Sequence, residues 1–437
     1  MRLTSPSFKE AEAALAWLST LRSEQLKGVA QATGVRQAGP KPALLDRLRR
    51  ELPRSVFLPG GSPPSREDGD GALSILSVDL GIQNLAFAHL LVPRPVPGGA
   101  VVATTTTTTT STSWPKQLSF GPDLKPRLNA WHRLDISALP RAAELGHAVE
   151  KKKEDGAEQG RLLLPETVIR TLQVSRRRST KKGRSQSVVG LNEDEAEKKK
   201  GLIIDAEGEA VEEEDQSSVF RPDIYAGHAY TLLTSLIAAY RPTHILMERQ
   251  RFRTARGSSV QEWTLRVGVF EGMLYGVLHT LQQVGHCTVV DQQMIDPARV
   301  ARYWQMDPTP KPMKMKTNRK ARLNPREVKK MKIDLVAGWL RDATETTAAS
   351  SSLSSSASPY SSPSGAAKIS IPPASNPLDV RNVVDAYLLR CLGRRGDTSA
   401  NRMDKLDDLA DCLLQGLTWL DWHAKRHRFV TEGPGGL

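Results

Sequence analysis

The stretch Ser74-Ile-Leu-Ser-Val-Asp-Leu-Gly-Ile-Gln-Asn-Leu-Ala-Phe-Ala88 constrains this chain more than any other. Ile75, Leu76, Val78 and Leu80 form a short apolar run, Gly81 breaks it, and Leu85 to Ala88 restart it. Short apolar runs separated by a turn signal predict a buried strand, a tight turn and a second strand. Asp79 closes the first strand. A lone carboxylate in such a run is costly to bury unless it is paired or bound to a cation. Asp79 reads as the first ligand of a metal site, or as an Asp that starts the turn, since Asp is a common turn residue. The stretch alone leaves both readings open.

The charge balance narrows the partners. The 437 residues carry a formal net charge of +13. An excess of that sign favours a polyanion, either nucleic acid or an anionic membrane surface. No run of eighteen apolar residues occurs, so no membrane-spanning helix is expected. Cys287, Cys391 and Cys412 lie far apart with no CxxC pair, which fits a reducing compartment and argues against structural zinc. The first twenty residues hold Lys9, Glu10 and Glu12 and only one Arg, a poor match to a transit peptide.

Residues 11–51 read as a small all-α module. Ala14, Leu15, Leu18 and Leu21 recur at helical spacing, as do Leu26, Val29 and Ala30, then Leu44, Leu45 and Leu48. A Gly- and Pro-rich connection, Thr33 to Pro42, separates them. Gly34, Gly39, Lys41, Leu44 and Leu48 resemble the pattern of a SAP module, a helix–loop–helix that binds DNA. On that resemblance Arg36 and Lys41 are candidate phosphate contacts, aided by a helix N-terminus. The competing reading is a helical hairpin for protein contacts. Residues 52–72 read as a linker.

Beyond residue 73 the expected elements alternate with low-complexity insertions at about 93–116, 146–218 and 344–376, all expected to be disordered. A third strand is expected near Trp131–Ile136, then a helix over Tyr225–Tyr240 and a strand His244-Ile-Leu-Met-Glu248. A long helix over 259–283, a short strand at Cys287–Val290, a helix around Val328–Leu340 and a last helix from Asp404 to His423 follow. That order predicts an α/β fold, an RNase H-like mixed sheet flanked by helices.

Two of these strands end in an acid, Asp79 and Glu248. The last helix adds Asp407, Asp408 and Asp411, with both earlier acids within helical reach of Asp411. Like charges at that spacing repel by some tenths of a kcal/mol per pair, which a cation relieves. An amphipathic helix with a solvated acidic face is the alternative. Hard oxygen ligands of this kind suit Mg²⁺ or Mn²⁺. Two such ions ~4 Å apart can hold the attacking and departing oxygens of a phosphodiester.

The segments SILSVDLGIQNLAFA, HILMERQRFRTARGSSVQEWTLRVGVFEGML, RYWQM and DKLDDLADCLLQGLTWLDWH together resemble the fungal mitochondrial Holliday-junction resolvases, relatives of bacterial RuvC. The resemblance implies a metal-dependent endonuclease that resolves four-way DNA junctions by paired symmetric nicks in mitochondria, with the nucleus as the alternative location. It implies Asp79, Glu248, Asp408 and Asp411 as metal ligands, Asp407 as an alternative or additional one, and Mg²⁺ or Mn²⁺, two ions per site, as cofactor. Lys405 matches one member of a Lys-Lys pair common ahead of the acids, whereas position 406 is Leu. Arg249, Arg251 and Arg253 follow Glu248 at period two and, with Arg256, Arg266, Lys314, Lys316 and Lys320, are candidate DNA contacts. Phe252 or Trp304 is a candidate wedge at the crossover, with core packing as the competing role. A two-fold junction needing two nicks implies a homodimer, and the 259–283 helix offers a candidate interface. No membrane insertion and no small-molecule cofactor are expected. Two other classes remain in play: a non-catalytic DNA-binding protein on a nuclease-like core, and an actin-like or sugar-kinase-like ATPase. The second needs a further Asp-x-Gly turn and a Gly-rich adenosine site, neither of which occurs.

Overall fold

The structure is a computed structural model. It describes residues 14–58, 72–93, 125–139, 203–204, 210–211, 220–250, 262–285, 287, 289, 291–305, 324–352, 368–372, 379–392 and 405–436.

A five-stranded sheet forms the centre. Its strands are β1 (Leu73–Asp79), β2 (Leu85–Val92), β3 (Arg127–Leu134), β4 (His244–Glu248) and β5 (Asp291–Ile295), in the order β3-β2-β1-β4-β5. β2 is antiparallel to both β1 and β3, whereas β4 is parallel to both β1 and β5. This is the mixed α/β architecture expected, with helices on both faces.

The alternation of β1 sorts the core into two layers. Leu73 and Ile75 face one layer, Leu76 and Val78 the other. The second layer is closed by α3 (Pro222–Tyr240) and α4 (Glu262–Gln283). The first is closed by α5 (Pro297–Gln305), α6 (Pro325–Ser352), α7 (Val380–Cys391) and α8 (Leu406–Thr431). Because β1 is buried on both faces, its sequence is nearly continuous in apolar residues.

α8 is the axis of the first layer, buried nearly all round between Leu409 and Arg426. Gly416 lets it approach the sheet, because a Cβ there would stand 2.8 Å from Leu90 Cδ1 and 3.2 Å from Ser77 Cβ. Gln415 Nε2 donates to Ser77 Oγ at 3.1 Å and to the carbonyls of Val78 and Leu246, each at 3.2 Å. One polar side chain thus ties α8 to two parallel strands.

The amino-terminal module is a helix pair, α1 (Ser23–Ala32) and α2 (Lys41–Glu51), around Leu26, Val29, Leu44 and Leu48. Phe429 at the far end of α8 completes that small core. Gly34 has a φ of +67°, and a Cβ there would lie 2.3 Å from the Trp422 ring.

Several expectations are corrected. The strand expected at Cys287–Val290 lies at Asp291–Ile295 instead. Asp-Gln-Gln-Met-Ile shows no apolar alternation, but it pairs through its backbone with β4, and Gln293 Oε1 accepts from Trp419 Nε1 at 2.7 Å. The Ser-rich segment from 344 begins as helix, since α6 continues to Ser352. Later in it, Ile369 and Ile371 are buried and Ser370 O accepts from Leu128 N at 2.9 Å. In the charged segment 146–218, Ile203–Ile204 pairs with Ala210–Val211 as a two-residue ribbon. Residues 52–58 are not a free linker: Ser55 Oγ donates to His423 O at 2.7 Å, and Val56 N donates to His423 Nδ1 at 3.1 Å. The last helix runs eight residues past His423, to Thr431. Trp304 is a core residue, 5% exposed, with Nε1 donating to Thr418 Oγ1 at 2.8 Å.

Candidate metal centre

Strand alternation carries two of the acids to one place. Ser77 Oγ donates to Cys412 O at 2.8 Å, so the odd residues of β1 face α8. Asp79, two residues on, shares that face. Leu246 packs in the same layer, so Glu248 shares it as well. The parallel register pairs Val78 with Met247, which sets Asp79 and Glu248 at neighbouring strand ends. The turn after Asp79 is tight at Gly81, where a Cβ would lie 3.0 Å from Asn84 O.

α8 brings the other acids from above. Asp411 and Asp408 precede Gln415 by one and two helical turns, on the face that Gln415 turns to the sheet. The stripe of Asp residues therefore does not look into bulk solvent.

The electrostatics bear out the convergence. The Asp79 carboxyl is pushed well above the usual range, first by burial, then by the charge of Glu248 and a hydrogen bond shared with it, then by Asp411 and Asp408. Burial lifts Asp411 to about 6, opposed by Lys332 and reinforced by Glu248 and Asp407. Asp408 is also lifted to about 6, by burial and by Asp407, against the pull of Lys405, Arg133 and Lys329.

Two lysines of α6 sit among the acids. Lys332 Nζ lies 2.6 Å from Asp411 Oδ1, and Lys329 Nζ lies 2.6 Å from Asp407 Oδ2. Asp407 Oδ1 and Asp408 Oδ2 are buried without a hydrogen-bond partner. Among the described residues no group of three or more His, Cys, Asp or Glu side chains is placed so that it could hold a metal ion. The arrangement is an open, all-oxygen cluster with orphaned acceptors and mutual repulsion, and that chemistry fits a hard divalent cation.

Of the candidate DNA contacts, Arg249 is exposed directly beyond Glu248, and its charge acts on Glu271 of α4. Lys405 is exposed at the start of α8 with a φ of +59°. Arg266 is engaged by Glu262 one turn back, at 2.5 Å. Arg36 and Lys41 are exposed on the module, and Arg36 lines a cleft with Trp422 of α8, eleven residues beyond Asp411. Arg251, Phe252, Arg253, Arg256, Lys314, Lys316, Lys320 and Asp404 lie outside the described residues. Arg133 and Glu271 were not singled out from the sequence, and Lys329 and Lys332 only as part of the basic block Lys311–Lys332, a candidate for holding a DNA arm. Their only signal was position: a Lys-x-x-Lys spacing in a basic helix, and an acid on the face of α4 nearest β4.

A mixed sheet in this order, with carboxylates gathered at one edge under a long final helix, defines an RNase H-like core with an acidic edge. The chain belongs to the family described as mitochondrial resolvase Ydc2 / RNA splicing MRS1, whose profile matches residues 75–429. A stretch of 58 residues is 41% identical to the mitochondrial cruciform cutting endonuclease 1 of Schizosaccharomyces pombe; it covers 13% of this chain and 22% of that protein. The crystal structure of the yeast mitochondrial Holliday junction resolvase Ydc2 aligns over 95% of this chain and 99% of its own, at 18% identity and a TM-score of 0.40.

Proposed function

We propose that this protein is a metal-dependent, structure-selective endonuclease that resolves four-way DNA junctions in mitochondria. The observation that carries the reading is the gathering of Asp79, Glu248, Asp408 and Asp411 at the end of β1 and β4 under α8. The family's resolvase members and the mitochondrial cruciform-cutting relative support the substrate class and the location.

Asp79, Glu248, Asp408 and Asp411 would hold the metal, with Asp407 as an alternative or additional ligand. Mg²⁺ or Mn²⁺ bound there, as a pair of ions, supplies charge neutralisation at the scissile phosphate. The rest falls to the chain's own groups. Lys329 and Lys332, paired with Asp407 and Asp411, hold positive charge at the edge where the phosphate would lie. Arg133, Arg249 and Lys405 border the acids and fix the register of the strand by backbone contacts, which position without reading sequence. Two such sites in a symmetric homodimer place one nick on each of two opposed strands.

A second reading has its own support, because the family description also names an RNA-splicing protein. It makes the chain a nucleic-acid binder without cleavage. The complete acid set favours the enzyme.

The test is a nicking assay on a four-way junction and on a linear duplex of the same sequence, with Mg²⁺, Mn²⁺ or EDTA. Paired symmetric nicks on the junction alone, lost in EDTA, are expected. Tight binding with no cutting under any condition would put the binding protein first.

A further inference from the structure

Where the amino-terminal module meets the core, a cleft of about 210 Å³ opens. Its walls include Arg36 from the module, Arg299 and Arg302 from α5, Trp422 from α8 and one acid, Asp296. Asp296 is committed to the start of α5, where Oδ1 accepts from Ala298 N at 2.9 Å. Three guanidinium groups thus face one carboxylate that is already in use, while Glu51 lies close enough for its charge to act on Arg299.

The cleft is built rather than incidental. The Arg299 guanidinium lies 5.3 Å over the Trp422 ring, which fixes its plane. Arg47 holds the module loop by donating to the carbonyls of Arg36, at 2.5 Å, and Ala38, at 2.9 Å. Gln31 Nε2 crosses to the carbonyl of Arg302 at 3.2 Å. Burial pushes the Arg299 charge down, opposed by Asp296 and Glu51 and reinforced more weakly by Arg302 and Arg36. The buried Trp422 Nε1 has no hydrogen-bond partner. Planar, weakly hydrated guanidinium groups of this kind suit phosphate.

We propose that this cleft binds a backbone phosphate of a nucleic-acid arm through Arg36, Arg299 and Arg302. Trp422 follows Asp411 by eleven residues on α8, or ~16 Å along the axis. That is about half a turn of duplex DNA, a separation that a single arm can span. The inference deepens the proposed function: module and core form one continuous phosphate track, which extends the module contact beyond Arg36 to two core arginines.

The test measures binding of a four-way junction and a linear duplex from about 50 to 200 mM salt. Wild type is compared with Arg299→Gln, Arg302→Gln and Arg302→Lys. Each Gln variant should weaken binding several-fold and lower the slope of log affinity against log salt by about one. Arg302→Lys should keep the slope. Arg302→Gln alters an exposed side chain and serves even if Arg299→Gln unfolds, which a melting curve reports. A parallel arm titrates inorganic phosphate at constant ionic strength. Unchanged slopes in the Gln variants overturn the proposal. So do unchanged slopes with a phosphate-dependent melting shift that Arg302→Gln abolishes, which would assign the cleft to free phosphate. Altered slopes on duplex in a protein that shows no junction preference sustain the cleft while overturning the resolvase reading.

Discussion

Lys332 Nζ lies 2.6 Å from Asp411 Oδ1, with only 15% of the lysine side chain exposed. A helix on the far side of α8 thus supplies a cation to the acidic cluster, at the oxygen a metal ligand needs. The proposed ligation of a divalent ion by Asp411 sets that ion in competition with the lysine. Lys332→Met should destabilise the metal-free protein by about 1–2 kcal/mol and lower its melting temperature, because it leaves a largely buried carboxylate unpaired. The same change should raise the apparent Mg²⁺ affinity. Thermal melts against Mg²⁺ concentration read both, and weaker Mg²⁺ binding would rule out competition.

Asp79 is the most strongly frustrated acid of the cluster. Its carboxyl is raised by burial and then by Glu248. Asp79→Asn removes that repulsion and should stabilise the metal-free protein, by on the order of 1 kcal/mol. It should also erase stabilisation by Mg²⁺ and reduce nicking ~100-fold or more. Unchanged Mg²⁺ stabilisation in this variant would remove Asp79 from the ligand set.

Metal binding should depend steeply on pH. Asp408 and Asp411 both sit at about 6 in the metal-free fold, above their unfolded values. Carboxyls raised in this way keep protons that the unfolded chain has lost, so the metal-free fold is penalised above pH 6 and relieved as pH falls towards 4. His89 and His132, pushed down to about 3 and about 4 by burial, act in the opposite sense. Their folded forms stay neutral while the unfolded forms gain protons below about 6.5, so they cost stability in acid. The Mg²⁺-induced difference in melting temperature cancels the histidines. It should rise from pH 5 to pH 7 as Asp408 and Asp411 lose their protons. Calorimetry in two buffers should show protons released on binding. A difference that is flat over this range would contradict the cluster.

The module is held to the core by a glycine. Gly34 lies at a φ of +67° with the Trp422 ring against its open side. Gly34→Ala should cost about 2–4 kcal/mol of docking, from backbone conformation and steric overlap together. Limited proteolysis should then cut near residues 52–58 well below the melting temperature of the sheet. Resistance equal to wild type would mean that the module does not depend on this contact.

Much of the sheet core and its acidic edge was legible in the sequence. Apolar runs ending in Asp79 and Glu248 announce strands with acids at their tips, because a buried strand has few ways to carry a charge. The acids before Leu409 to Leu420 announce a helix with carboxylates in its first turns. The strand order then follows from the order of elements. β5 escaped because an edge strand is held by its backbone, and Gln292 and Gln293 reveal nothing of that. α7, from Val380 to Cys391, escaped because it follows directly on a Ser- and Pro-rich stretch that masks its start.

What the chain decides locally is which residues form strands, turns and helices, since period and turn chemistry are properties of neighbours. What only the tertiary structure decides is which side chains meet. Lys332 reaches Asp411, Trp422 floors the cleft of Arg299, and His423 anchors Ser55 and Val56 because α8 passes both the sheet edge and the module. Those encounters join residues separated by tens to hundreds of positions, and no spacing in the sequence encodes them. They follow from how α8 is seated, through Gly416 and Gln415, against the end of β1.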